Sequence, residues 1–217
     1  MLESGAAVLG QRIRTTASRL GSMVPYLIAG LVTLPQPCRA EEPVPLGRWR
    51  QTLALSAGYG WGHELGGSHQ DAPDSETVPI LPRWAMGLTN VVGGDAFYRG
   101  NLEISVEGVF LVDTEPRSGS ALGGAAGLRY NFVPSRRIVP YIGAGAGVLD
   151  LDYDLRSQRD GFNFVIFCDV GLHAFVGERV AVSTGYRLQH ISNADTRSPN
   201  FGIDTSFLLL GVTYFLQ

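Results

Sequence analysis

Leu102-Glu103-Ile104-Ser105-Val106-Glu107-Gly108-Val109-Phe110-Leu111-Val112 decides the fold class. Leu102, Ile104, Val106, Phe110 and Val112 fall on one side of an extended chain, and Glu103, Ser105 and Glu107 fall on the other, because strand side chains alternate faces. A helix would scatter both sets around its circumference. The same alternation recurs outward along the chain. Leu122, Ala126, Leu128, Tyr130 and Phe132 oppose Ala121, Gly123, Ala125, Gly127, Arg129 and Asn131. Val180, Val182, Tyr186 and Leu188 oppose Arg179, Ser183, Arg187 and Gln189. Phe162, Phe164, Ile166, Val170, Leu172 and Val176 oppose Asn163, Asp169 and His173, although Val165, Phe167 and Phe175 blur that segment.

Eight strands are expected, near 49–61, 78–90, 100–112, 119–133, 138–151, 162–176, 179–192 and 203–216. Each exceeds the five or six residues usual in soluble domains, and tilted strands that cross a bilayer need about 9–11. Alternation alone fits either a soluble lipocalin-like barrel or an outer-membrane barrel. Three features favour lipid. An export signal precedes the strands. The less apolar face mixes Arg83, Glu103, Glu107, Arg129, Asp169 and Arg187 with Gly and Ala, as paired charges in a narrow lumen would. Aromatics gather near strand ends, at Trp49, Tyr59, Trp61, Tyr130, Phe132, Tyr141, Tyr214 and Phe215, as interfacial girdles do.

The connections agree. Long or polar loops are expected at 62–77, 113–118, 152–161 and 193–202, and the alternate connections 134–137 and 177–178 are tight, with 91–99 longer. Long extracellular loops and short periplasmic turns put both termini in the periplasm. The reading is all-β: an eight-stranded antiparallel transmembrane β-barrel of the bacterial outer membrane, over residues 41–217.

Residues 1–40 read as a signal peptide. Arg12, Arg14 and Arg19 precede the apolar stretch Met23–Leu34, and Cys38-Arg39-Ala40 forms the cleavage region. Its removal leaves Cys168 as the single cysteine, so an exported chain with no internal disulfide is expected. The formal net charge of −3 excludes a basic nucleic-acid binder on bulk charge, and no nucleic-acid partner is expected.

Chemistry concentrates in His190-Ile191-Ser192-Asn193-Ala194 and Pro199-Asn200-Phe201-Gly202-Ile203-Asp204. His190 and Ser192 share one face of the seventh strand, with Val180, Val182, Tyr186 and Leu188. That face is the lipid-facing one, where polar groups are costly and point to function. A hairpin centred near Arg197 puts His190 across from Asp204, with Cβ atoms about 4.5–5.5 Å apart. Serine, histidine and carboxylate are the side chains of a nucleophile, its general base and an orienting acid.

Other groups carry less. His63 and His69 share the first loop with Glu64, Asp71, Asp74 and Glu76, but their spacing fits no defined metal motif. Asp150, Asp152 and Asp154 lack the glycine and closing glutamate of a calcium loop. Neither a metal nor a cofactor is expected. Gly143-Ala144-Gly145-Ala146-Gly147 lies inside a strand, where its glycines fit close packing in the lumen.

Residues 186–215, with H-I-S-N-A, P-N-x-G-I-D and a closing aromatic strand, resemble the outer-membrane lipid A 3-O-deacylases of PagL type, as does Gly58-Tyr59-Gly60-Trp61-Gly62. The resemblance implies an eight-stranded barrel over roughly residues 48–217 that hydrolyses the ester-linked acyl chain at position 3 of lipid A without a metal. By position it implies that His190 is the base, Ser192 the nucleophile and Asp204 the acid, where the best-studied members have glutamate. It implies that Asn193 helps an oxyanion hole completed by a backbone N–H at Asp195, where the family often has glycine. Lipid A or lipopolysaccharide in the outer leaflet is the partner so implied, and a homodimer is left open. The alternative from another class is a non-catalytic small outer-membrane barrel, an adhesin or structural protein, with a decayed site.

Overall fold

A computed structural model of the chain describes residues 44–62, 75–115, 118–153 and 158–216. The expected signal peptide, His63, His69 and their acidic neighbours Glu64, Asp71 and Asp74 lie outside them, as does Asp154. Among the described residues there are eight strands: β1 (Gln51–Gly62), β2 (Glu76–Gly87), β3 (Gly100–Glu115), β4 (Gly119–Phe132), β5 (Ile138–Asp152), β6 (Gly161–Phe175), β7 (Val180–Ser192) and β8 (Ile203–Phe215). Every strand pairs antiparallel with its sequence neighbours, and β8 returns to pair with β1, closing the barrel. Closure leaves no sheet edge unpaired, which a bilayer demands because its core offers no water to backbone groups.

The outer face is apolar. Leu53, Leu55, Ile104, Val106, Leu122, Leu128, Ile166, Val170, Leu208, Leu210 and Val212 are all exposed on it. In water such a surface would be an aggregation site; in a bilayer it meets acyl chains. Exposed aromatics stand toward the strand ends, with Tyr59 and Phe162 at one rim and Trp49, Tyr98 and Tyr214 at the other. Tyr141 and Phe215, expected among these girdles, lie inside instead. Tyr141 packs under the Arg129 guanidinium at 3.8 Å, and Phe215 packs tilted against Phe175 with ring centroids 4.9 Å apart. Both stand on inward-facing positions of their strands, and parity outranks the preference of an aromatic ring for the interface.

The lumen is filled in layers. Charges form its middle. Arg187 donates to both oxygens of Glu107, at 2.6 and 3.1 Å, and to Asp169 at 3.2 Å, while Arg129 also donates to Asp169 and Arg83 pairs with Glu103. Isolated, any of these would be costly to bury; paired, they fill the space at tolerable cost. Glycines on β5 admit them, for a Cβ at Gly143 would stand 2.5 Å from the Asp169 carboxylate.

Toward the extracellular end the interior is apolar, built from Val109, Leu111, Leu149, Leu151, Val165, Ile191, Ile203 and Phe207. This layer explains why Val165 and Phe167 blurred the alternation: they face an apolar plug, not water. Toward the periplasmic end Nδ1 of His173 lies 2.7 Å from Ser183 Oγ, which in turn contacts Thr213 Oγ1 at 2.8 Å. A cavity of about 20 Å³ beside Arg83, Glu107 and His173 has room for roughly one water molecule.

Candidate active site

The extracellular ends of β7 and β8 carry the cluster. Along β7 the buried positions are Ala181, Ser183, Gly185, Arg187, Gln189 and Ile191, so His190 and Ser192 project outward with Tyr186 and Leu188. On β8, Asp204 projects outward with Leu208 and Leu210, while Ile203, Thr205 and Phe207 turn in. The strand register sets His190 opposite Asp204. Their side chains meet: Nδ1 of His190 lies 2.7 Å from Oδ1 of Asp204. With Nδ1–H donated to the carboxylate, Nε2 keeps its lone pair and becomes the basic nitrogen. The imidazole is 39% exposed, and Asp204 only 13%. A reagent arriving from outside therefore reaches the base before the acid behind it.

Ser192 stands two residues beyond His190 on the same face. No hydrogen bond joins the two side chains among the described residues. Same-face neighbours on a strand lie about 6.6–6.8 Å apart along the backbone, within combined reach of a serine and an imidazole that close on a bound substrate. The flank is apolar: on β6, Phe164 pairs with Ser192 and Ile166 with His190, and both face outward. Toward the bilayer, the Tyr186 hydroxyl meets Ser206 Oγ at 2.7 Å, and Trp61 packs on Tyr186 with ring centroids 6.3 Å apart. A polar trio is thus set between hydrocarbon-facing walls.

The turn after Ser192 differs from expectation at Asn193. Its side chain faces inward, fully buried, and Nδ2 donates to the Arg197 carbonyl at 2.8 Å. Its backbone N–H donates to Asn200 Oδ1, also at 2.8 Å. Both kinds of Asn193 donor are committed to the loop, so the residue organises the turn and does not face the trio. Parity is the reason, since it follows an outward-facing residue. Ala194 and Asp195 come next, both left-handed at φ 52° and 58°. Their N–H groups carry no hydrogen bond among the described residues. The Asp195 carboxylate is exposed and accepts from Asn200 Nδ2 at 2.9 Å, which draws it into the loop network.

Two contributors were not singled out from the sequence. Asn200 stands in the P-N-x-G-I-D stretch without an assigned role, yet it bonds Asn193, Asp195 and Gln158. Gly202 takes φ 81°, and a Cβ there would stand 2.6 Å from Cε1 of His190. The first left an uninterpreted signal in the motif. The second stands in the same stretch, likewise without an assigned role.

A family model described as Lipid A 3-O-deacylase (PagL) matches residues 55–213. Among solved structures, that of the outer membrane enzyme PagL is similar at a TM-score of 0.54 and 22% identity, covering 74% of this chain and 97% of that one. The structure of Neisserial surface protein A (NspA) is similar at 0.52 and 18%, covering 76% and 96%. At these identities the two structures speak for the barrel fold. Among curated proteins no sequence matches.

Proposed function

Because the chain belongs to the lipid A 3-O-deacylase (PagL) family and is a barrel of the bacterial outer membrane, we propose that it hydrolyses the ester-linked acyl chain at position 3 of lipid A with Ser192, His190 and Asp204. The observation that carries this reading is the 2.7 Å contact between His190 and Asp204 on the lipid-facing surface. A hydrogen-bonded histidine and carboxylate placed there cost free energy and add little packing, so a scaffold alone gives them no purpose. A substrate whose ester lies at the headgroup boundary of the outer leaflet would meet it without leaving the membrane.

The chemistry follows from the atoms. Ser192 Oγ attacks the ester carbonyl while Nε2 of His190 takes its proton. Asp204, hydrogen-bonded to Nδ1, holds the ring and stabilises the imidazolium. Collapse of the tetrahedral intermediate expels the sugar oxygen, which receives the proton from Nε2, and leaves the acyl chain on Ser192. Water then attacks that ester with the same base, releasing a 3-hydroxy fatty acid and restoring the serine. For the developing oxyanion, the N–H groups of Ala194 and Asp195 are the available donors, with Asn193 and Asn200 holding their turn. A homodimer finds no support in the comparisons, and nothing in this chemistry requires one.

The test is direct. Lipid A incubated with the membrane-inserted protein should lose one hydroxyacyl mass, and the Ser192→Ala protein should leave it intact. Equal loss with both proteins, or none with the native chain, would remove the reading.

A further inference from the structure

We propose that Gln158, on the loop between β5 and β6, is a positioning residue for the His190 imidazole; as a statement about catalysis this rests on the deacylase reading above. Gln158 belongs to a different hairpin from the trio, 32 residues before His190 in the chain. It is 2% exposed, and every polar position of its side chain is used. Nε2 donates to Asn163 Oδ1 at 2.7 Å and to Asn200 Oδ1 at 3.1 Å, and Oε1 accepts the Gly202 N–H at 3.0 Å. Its backbone forms an isolated β-bridge with Asn200, and the Arg159 N–H beside it donates to the Pro199 carbonyl at 3.0 Å.

What these bonds hold is the segment that touches the base. Gly202 lies against Cε1 of His190 so closely that a methyl group would not fit. Two residues later, Asp204 grips Nδ1. The imidazole is thus bounded on two sides by one short stretch, and the amide of Gln158 fixes where that stretch begins. Asn200, bonded to the same amide, also receives the Asn193 N–H and so fixes the turn after Ser192. One buried side chain therefore reaches both the base and the turn beside the nucleophile.

Removing the amide frees the Gly202 N–H and takes one bond from Asn200; on the barrel wall it takes only the bond to Asn163 of β6, whose Nδ2 keeps the Arg159 and Gly161 carbonyls. A shift of the base by a fraction of an ångström damages the proton transfer more than the binding of an acyl chain to the outer face. Gln158→Ala should therefore lower kcat by about 10- to 100-fold, with KM changed by less than about twofold.

The experiment uses the full-length mature protein in detergent micelles with lipid A as substrate, and reads kcat, KM and a histidine resonance together. The protein is labelled with 13C at histidine Cε1, and the His190→Gln protein identifies the His190 signal. Gln158→Ala should move that signal, because Cε1 is the atom Gly202 abuts, and should lower kcat. Should Gln158→Ala not refold to its heat-modifiable form, Gln158→Met fills nearly the same volume without the bonds and answers the same question. An unmoved His190 resonance overturns the inference, and so does a moved resonance with unchanged kcat in an active enzyme. If the native protein releases no fatty acid, the deacylase reading fails by itself. The resonance then still decides whether Gln158 positions the ring.

Discussion

Gly202 packs its bare α-carbon against Cε1 of His190, at a distance where an added methyl would stand 2.6 Å from the ring. The His190 imidazole is thus held by a contact that only glycine permits, next to the hydrogen bond its Nδ1–H gives to Asp204. Gly202 also takes a left-handed φ of 81°, which side chains resist. Gly202→Ala should leave a heat-modifiable barrel and lower kcat on lipid A by about 100-fold. Gel mobility before and after boiling checks the first outcome, and release of hydroxy fatty acid checks the second. Near-native turnover would show that the imidazole is not confined from this side.

The trio predicts an order of damage. Ser192→Ala should remove activity to background, a loss of about 10⁴-fold or more. His190→Ala should be nearly as harmful, because an unassisted serine hydroxyl is a weak nucleophile at neutral pH. Asp204→Ala should cost about 10- to 100-fold less than either, since orienting an imidazole matters less than supplying one. Asp204→Glu should be tolerated or improve the rate. Single-turnover rates on lipid A give the ranking; an Asp204 variant as inactive as Ser192→Ala would require another role for the carboxylate.

The charges in the lumen should govern stability rather than chemistry. Glu107 takes two of the three hydrogen bonds that Arg187 gives to carboxylates. Its removal leaves a buried guanidinium sharing Asp169 with Arg129. Glu107→Ala should destabilise the barrel by about 3–5 kcal/mol. The measurement is the urea midpoint for loss of the fast-migrating folded band, with lipid A hydrolysis by the folded fraction little changed. A midpoint equal to the native one would mean that water or rearranged neighbours take over the pairing.

The barrel was legible because its evidence is local and repeated. The Leu102–Val112 alternation recurs strand after strand, and no strand boundary moves by more than three residues from the expected one. The cluster of His190, Ser192 and Asp204 was also within reach, since parity puts the first two on one face and a hairpin brings the third across. Side-chain roles within loops were not. Asn193 matches a motif by position, but its direction depends on Asn200 and on the carbonyls of Arg197 and Pro199. Gln158 acts across 42 residues on Asn200 and 44 on Gly202, and periodicity carries no information at that separation. The apolar outer half of the lumen was hidden for a related reason. Val165 and Phe207 look like lipid-facing residues until the closed barrel shows what surrounds them.

Asp195 gives the sharpest test of how the turn works. Its φ of 58° lies where glycine is unstrained and aspartate is tolerated at a small cost. On the proposed mechanism the N–H it carries is one of two donors for the oxyanion, so a carboxylate on the same residue would be a hazard. The structure moderates that hazard by tying the carboxylate to Asn200 Nδ2 at 2.9 Å, on the exposed side of the loop. Asp195→Gly removes the negative charge and the strain together, but also removes that bond. Asn200 would still be held by its contacts with Gln158 and the Asn193 N–H, so the turn should keep its shape. Deacylation by Asp195→Gly should therefore equal or exceed that of the native protein, most visibly in kcat, where a charge beside a developing oxyanion acts. Asp195→Asn separates the two effects, for it discards the charge and keeps an acceptor for Asn200. If both variants gain rate, electrostatic repulsion was the limit. If Asp195→Gly loses activity while Asp195→Asn keeps it, the bond to Asn200 is what holds the oxyanion donors in place, and the carboxylate is part of the turn's construction.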